Sequence, residues 1–310
     1  MAHLRLATRG SPLALKQAEL VAYGLVSAHP GITVEAVVVR TTGDRRPEVP
    51  LDRIGGQGVF AKEVQAAVAD GRADVAVHSA KDLPSQTPPG LVLAAVPTRA
   101  DPRDALVGSS LADLPAGAAV ATGSARRRAQ LANGRPDLTF VELRGNMGTR
   151  IDRAGDGSVH AVVVAVAALE RLGWMDRVTE VLAPSVMLPQ VGQGALALEC
   201  RADDESAAAL LAALDDPDSH RSVAAERAFL AAAGGSCAAP VAAMAEADGD
   251  RLRLSVLVAS GDGRVLVRTE RAGTDPEALG REAADHLLVG CGGRSVEGWE
   301  AARPAASSPS

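Results

Sequence analysis

Aromatic side chains are nearly missing: three Phe, two Trp and one Tyr among 310 residues. Ala, Val and Leu must therefore fill the core, and there are no aromatic platforms on which nucleic-acid bases would stack. Lysine occurs only as Lys16, Lys62 and Lys81, so nearly all of the 32 basic residues are arginine, whose planar fork suits carboxylates and phosphates. Cysteine is also scarce. Cys200, Cys237 and Cys291 are odd in number and far apart, which gives neither a disulfide framework nor a zinc pattern. No stretch approaches the roughly 20 apolar residues of a membrane helix. The opening Met1-Ala2-His3-Leu4-Arg5 carries no apolar leader segment, and a cytoplasmic protein is expected. A net charge of −6 excludes a general binder of nucleic acid or anionic membrane.

Hydrophobic residues make up 47% of the chain, enough to build two or three domains of ordinary size. The first two-thirds alternates short apolar runs with amphipathic helical runs, the pattern of an α/β fold. Strands are expected at residues 4–7, 33–39, 73–77, 91–96, 118–121, 139–143, 160–164 and 195–199. Helices are expected after Ser11-Pro12, over 60–69, from Ser124 to 132, from Asn146, and in a segment ending near Gly173. Residues 97–102 and 188–194 look like connectors. The last third follows a different pattern. A helix over 222–233 leads into strands at 241–246, 252–259 and 265–271 with Asp248-Gly249 and Asp262-Gly263 turns, and a helix over 276–288 closes the series. Residues 301–310, rich in Pro, Ser and Ala, read as a disordered tail.

Four strand-to-helix turns share one chemistry: Thr8-Arg9-Gly10-Ser11, Thr41-Thr42-Gly43-Asp44, Thr122-Gly123-Ser124 with Arg126 and Arg127, and Arg144-Gly145-Asn146 with Arg150. Hydroxyls, a close-approach glycine and a guanidinium at a helix N-terminus can bind an anion. Each loop alone is equally a helix cap with a solvated arginine. Their number points to one cleft for a ligand with several negative groups. Arg126-Arg127-Arg128 has a second reading as a nucleic-acid contact. Lys81 and Asp82 follow a strand, where α/β sheets place ligand sites, or form a surface ion pair. His78, within the apolar strand, reads as a hydrogen-bonded structural residue. Cys237, in Gly234-Gly235-Ser236-Cys237, is a reactive thiol or an inert buried one.

Several segments, taken in order, resemble one family. They are Ala7-Thr8-Arg9-Gly10-Ser11-Pro12-Leu13-Ala14, Gly55-Gly56-Gln57-Gly58-Val59-Phe60-Ala61-Lys62-Glu63 and Asp74-Val75-Ala76-Val77-His78-Ser79-Ala80-Lys81-Asp82-Leu83-Pro84. Asp101-Pro102-Arg103-Asp104-Ala105, Leu143-Arg144-Gly145-Asn146, Leu188-Pro189-Gln190-Val191-Gly192-Gln193-Gly194-Ala195 and Gly235-Ser236-Cys237 follow. Together they resemble the porphobilinogen deaminase (hydroxymethylbilane synthase) family over about residues 4–288.

The resemblance implies two periplasmic-binding-protein-like α/β lobes plus a smaller C-terminal α+β domain. The first lobe would take residues 1–96 and 195–215, the second 97–194, and the cofactor-attachment domain 216–300. The chain would cross between lobes near Val96 and Val191. It further implies a transferase of tetrapyrrole (porphyrin and heme) biosynthesis that acts as a monomer. Four porphobilinogen molecules would be condensed head to tail with loss of ammonia. The implied primer is a dipyrromethane cofactor held by a thioether to Cys237. Asp82 matches the catalytic carboxylate and, with Lys81, a cofactor contact. Thr122, Ser124, Arg126, Arg127, Arg144 and Gly145 match the remaining cofactor-binding positions. Arg9, Ser11, Phe60, Arg144, Arg150, Arg171 and Gln193 match substrate-binding positions. Gln57 stands where many family members have Lys, with Arg53 as a compensating cation, and Ala238 and Ala239 are small for their positions. Residues 45–52 are a candidate lid. A non-enzymatic bilobal anion-binding protein shares such an architecture and is the competing expectation.

Overall fold

The computed structural model describes residues 3–41, 58, 60–234 and 240–296. The Thr41-Thr42-Gly43-Asp44 turn beyond Thr41, the 45–52 segment, Arg53, Gln57, Cys237, Ala238, Ala239 and the tail lie outside them.

Two five-stranded sheets are built on one plan. The first has order β2-β1-β3-β10-β4, from β1 (His3–Arg9), β2 (Thr33–Val39), β3 (Val75–Ser79), β4 (Leu91–Ala95) and β10 (Leu196–Arg201). The second has order β7-β6-β8-β5-β9, from β5 (Asp104–Val107), β6 (Ala119–Ala121), β7 (Thr139–Val141), β8 (Ala161–Ala165) and β9 (Glu180–Val181). In each, the leading strands run parallel, β2-β1-β3 and β7-β6-β8. One strand enters antiparallel to both its neighbours: β10 between β3 and β4, and β5 between β8 and β9. Both inserted strands directly follow a crossing, so each lobe is locked by the chain arriving from the other. The strands with helices on both faces are continuous apolar runs. Ala-Val-Val-Val-Ala of β8 is buried at every position.

Helix starts follow their caps. α1 (Pro12–Ala28) is capped by Ser11, which accepts from the Ala14 N–H, with Pro12 in the first turn. α2 (Lys62–Ala69) covers the first sheet. α3 (Ala125–Gly134) is capped by Ser124 and α4 (Met147–Gly155) by Asn146. α5 (Val166–Leu172) ends on the left-handed Gly173, and α6 (Glu205–Leu211) is capped by Asp204.

The third unit is an antiparallel meander of β11 (Val241–Asp248), β12 (Arg251–Ala259) and β13 (Leu266–Gly273). It is backed by α7 (Pro217–Ala233) and α8 (Pro276–Asp285). The helices touch backbone to backbone, since a Cβ on Gly280 would come 2.5 Å from the Ala225 carbonyl. The Asp262-Gly263 turn rests on α3, where Asn133 Nδ2 donates to the Gly263 carbonyl at 2.9 Å.

Three expectations need correction. β5 and β9, absent from the expected strands, carry too few residues for a periodicity and are created by tertiary pairing, and α6, also absent, is a short helix started by its Asp204 cap. α7 begins five residues earlier than the apolar pattern suggests, because Asp216 caps it and Pro217 fits its first turn. α8 ends at Asp285, and residues 286–290 continue as one wider turn.

Arg99 and Glu226 join the third unit to both crossings. Arg99 Nη1 lies 2.6 Å and Nη2 3.2 Å from the Glu226 carboxylate. Glu226 also accepts from the Gly192 N–H at 2.7 Å and the Ala245 N–H at 2.8 Å.

Candidate functional site between the lobes

The expected site residues sit at one end of the parallel strands. Arg9 and Ser11 follow β1, Lys81 and Asp82 follow β3, Thr122 to Ser124 follow β6, and Arg144 and Gly145 follow β7. This is where open α/β sheets bind ligands, because helix N-termini and loop amides converge there. The hydroxyls serve the loops themselves. Thr122 Oγ1 accepts from the Ser124 N–H at 3.2 Å, and Ser124 Oγ accepts from the Arg127 N–H at 3.4 Å. Gly123 allows close approach, since a Cβ there would come 2.7 Å from the Leu143 carbonyl. Both oxygens thus cap their own loop as acceptors and keep an O–H to donate, while the charge that would hold an anion comes from the cations.

Lys81 and Asp82 belong to a single 3-10 turn, Ala80–Asp82, held against the second crossing. Gly192, with φ +71°, passes so close that a Cβ would lie 2.9 Å from the Ala80 carbonyl carbon. Gln190 Nε2 donates to the Lys81 carbonyl at 3.3 Å, and Lys81 Nζ donates to Gln193 Oε1 at 3.3 Å. Beneath this turn, His78 Nε2 lies 3.2 Å from Glu199 Oε2. Gln65 donates to the same oxygen at 2.8 Å. His78 thus packs against Glu199 across β3 and β10 at contact distance, but its Nε2 has no hydrogen-bond partner of good geometry among the described residues, so the expected hydrogen bond is not seen.

The electrostatics of the cleft are cationic around one carboxylate. Burial first, then Arg127, push the Lys81 amine down to about 8, opposed by Asp82 and Asp104. Burial first, then Arg127, Arg144 and Arg9, hold Arg150 below its ordinary value, with Asp82 opposing. Asp82 therefore offsets Lys81 and Arg150, while Arg127, Arg144 and Arg9 crowd those two cations from both lobes. The Arg9 guanidinium lies 3.9 Å from the Phe60 ring centroid, a cation–π contact that fixes its direction. Arg150 Nε donates to the Gly145 carbonyl at 2.9 Å, and Arg144 Nη2 to Glu142 at 3.2 Å.

Arg126 and Arg127 are not surface groups. They are 3% and 7% exposed, which removes the nucleic-acid reading, and both pair with Asp104 at 2.8 and 2.7 Å. Gln193 is also buried, with its amide donating to Pro102 O and Asp104 at 2.8 and 2.9 Å. Arg171 reaches the second crossing. Its Nη2 donates to the Gly194 carbonyl at 2.6 Å, and the side chain lines an outer groove with Pro12, Leu15 and Lys16. Asp104 and Glu226, which fasten the site, carry no sequence signal of that role. Asp104 lies within the family-like Asp101-Pro102-Arg103-Asp104-Ala105 segment, but only the tertiary contacts reveal what it holds.

A narrow cleft is lined by Lys81, Pro84, Ser124, Arg126, Gln190, Arg227, Leu230 and Val241. Arg126 Nε is buried without a hydrogen-bond partner among the described residues. Such an orphaned donor is costly unless a ligand completes it. Leu230 and Val241 stand on either side of Cys237 in the sequence, so the described flanks of that cysteine open onto the same cleft.

Residues 4–209 match the family model described as "Porphobilinogen deaminase, dipyromethane cofactor binding domain". The chain belongs to the porphobilinogen deaminase family. Residues 220–289 match that family's C-terminal domain. A porphobilinogen deaminase of Roseiflexus sp. (strain RS-1) is 48% identical over 297 residues, 94% of this chain and 98% of the relative. One from Syntrophus aciditrophicus (strain SB) is 46% identical over 306 residues, covering 97% and 100%. Among solved structures, the methionine binding protein MetQ aligns with TM-score 0.41 and 15% identity, over 73% of this chain and 94% of that one. The dipyrromethane that the family model names is a diacid on each ring. The orphaned Arg126 Nε, the depressed Lys81 and the cation cluster fit a group of that charge.

Proposed function

We propose that this chain condenses four porphobilinogen molecules head to tail, releasing an ammonia at each step, to give hydroxymethylbilane. The observation that carries this is the pairing of the Asp82 carboxylate with Lys81 and Arg150, inside a cluster in which Arg127, Arg144 and Arg9 act on those two cations in turn. Each pyrrole brings an acetate and a propionate, and a growing product needs a series of fixed cations to hold its carboxylates out of bulk water. Arg9, Arg144 and Arg150 would bind them. Asp82 accepts hydrogen bonds from pyrrole N–H groups and stabilises the positive charge that develops as the aminomethyl nitrogen leaves as ammonia. The same carboxylate can exchange the proton that the departing nitrogen requires.

Lys81, Ser124 and Arg126 would hold the dipyrromethane, with Cys237 as its thioether attachment. When bound, that group supplies the pyrrole carbon to which the first porphobilinogen is joined. Burial of Arg126 against Asp104 keeps its fork oriented before any ligand arrives, so less ordering is needed on binding. The enzyme works as a monomer in the cytoplasm, on a small-molecule substrate. Among the described residues, no helix is long and apolar enough to cross a membrane.

The test is porphobilinogen consumption and ammonia release by the purified protein and by Asp82→Asn. The variant keeps the shape of the side chain without its charge, and turnover should fall by about 100-fold or more. Turnover of the variant within a few-fold of the parent would remove Asp82 from the role. A parent protein that bound porphobilinogen reversibly without consuming it would favour the anion receptor.

A further inference from the structure

Two buried arginines on successive positions of α3 need a reason to lie side by side. Asp104, the first residue of β5, is 0% exposed and lies between them. Its carboxylate is 2.8 Å from Arg126 Nη2 and accepts from Arg127 Nε at 3.1 Å and Nη2 at 2.7 Å. The outer edges of both forks are also fixed, Arg126 Nη1 on the Leu188 carbonyl at 2.6 Å and Arg127 Nη1 on the Val163 carbonyl at 2.9 Å. A third residue bonded to Asp104 is Gln193, through Nε2 at 2.9 Å, and the other end of that amide accepts from Lys81 Nζ at 3.3 Å. One carboxylate is therefore bonded to two cations of the second lobe and, through one amide, to the cation next to Asp82 in the first.

We propose that Asp104 is a positioning residue for the condensation. It holds Arg126, Arg127 and, through Gln193, Lys81 at the spacing at which they meet a carboxylated pyrrole chain. The inference rests on the function proposed above. Its physical basis is the charge balance: two guanidinium groups and an ammonium repel one another, and the charge of Asp104, with that of Asp82 beside Lys81, offsets only part of that. The assembly stays together yet remains one or more charges short, which a ligand carboxylate supplies. Arg126, which lines the cleft together with Lys81 and has a buried Nε without a partner among the described residues, is the group left to meet it. The groups facing Lys81 are Arg127 and Arg126, which disfavour its ammonium, and Asp82 and Asp104, which favour it.

The experiment compares the cofactor-bearing parent with Asp104→Asn by melting curve and by kcat/KM for porphobilinogen across pH. The amide turns N–H groups toward the guanidinium donors and removes the counter-charge. We expect kcat/KM to fall about 100-fold at neutral pH, the scale of a misplaced site residue. The alkaline limb should also move toward acid by about one pH unit, because Lys81 loses one of its two supporting carboxylates. Loss of packing alone would lower the melting temperature and leave that limb in place. A folded Asp104→Asn with kcat/KM within about 3-fold of the parent and an unmoved limb overturns the proposal. If Asp104→Asn does not fold, Gln193→Leu decides, because it cuts the link to Lys81 while leaving Asp104 between the arginines. A smaller acid-ward shift is expected there, because the Lys81 ammonium loses its Gln193 Oε1 acceptor, and an unmoved limb overturns the proposal. A parent that does not consume porphobilinogen sinks the proposed function instead, which separates the two failures.

Discussion

Arg99 and Glu226 form a two-point ion pair, 2.6 and 3.2 Å, between the first crossing and the first helix of the third unit. Glu226 is 0% exposed and also takes the Gly192 and Ala245 N–H groups. The same carboxylate therefore fastens both crossings and β11. Glu226→Gln keeps the volume but leaves Arg99 without its counter-charge and turns an amide N–H toward backbone donors. The loss of stability should be roughly 3–5 kcal/mol, the range for breaking a buried pair. Chemical denaturation measures it, and an unchanged midpoint would show that the crossings do not depend on this contact.

The Lys81 amine, pushed down to about 8 by burial and by Arg127, gives a pH dependence with a definite sign. Below that value the cleft carries the ammonium, and above it one cation is lost. kcat/KM for porphobilinogen should therefore decline above pH 8, toward tenfold per unit if the ammonium is essential. Lys81→Met should remove that limb along with most of the activity. A parent profile flat to pH 10, about the ordinary lysine value, would show that Lys81 takes no part.

Cys237 should carry the dipyrromethane. Cys200 is fully buried in β10, and Cys291 is exposed with its Sγ 3.4 Å from His286 Nε2. The intact mass should exceed that of the sequence by two porphobilinogens less two ammonias. A thioether should keep that mass in excess dithiothreitol, where a disulfide would be reduced. Bare sequence mass, or peptide mapping of the adduct to Cys291, would contradict the assignment.

Gly194, with φ +89°, runs under the first crossing so closely that a Cβ would lie 2.4 Å from the Ala100 carbonyl. Gly194→Ala combines a left-handed backbone with a backbone clash and should cost about 1–3 kcal/mol or more. The same displacement should reduce turnover, because Gln193 and its bond to Lys81 are adjacent. A melting temperature equal to the parent's would mean that the crossings separate freely.

Much of this molecule was legible in its residues. Continuous apolar runs such as residues 161–165 marked doubly covered strands, and Ser11, Ser124 and Asn146 marked three helix starts, because capping is decided within four residues. The ordered motifs around Arg9, Asp82 and Arg144 likewise pointed to a cleft for a polyanion and to the family. What no local pattern could contain was the partnership of those residues. A buried Asp104 and an ordinary surface aspartate look alike in sequence, and only the crossing that delivers β5 into the second sheet places it between Arg126 and Arg127. The early start of α7, the insertion of β10 between β3 and β4, and the buried Glu226 were settled the same way. Hydrogen bonds over a few residues are set by the chain itself, whereas the pairing of buried charges far apart in sequence depends on where the whole fold excludes water.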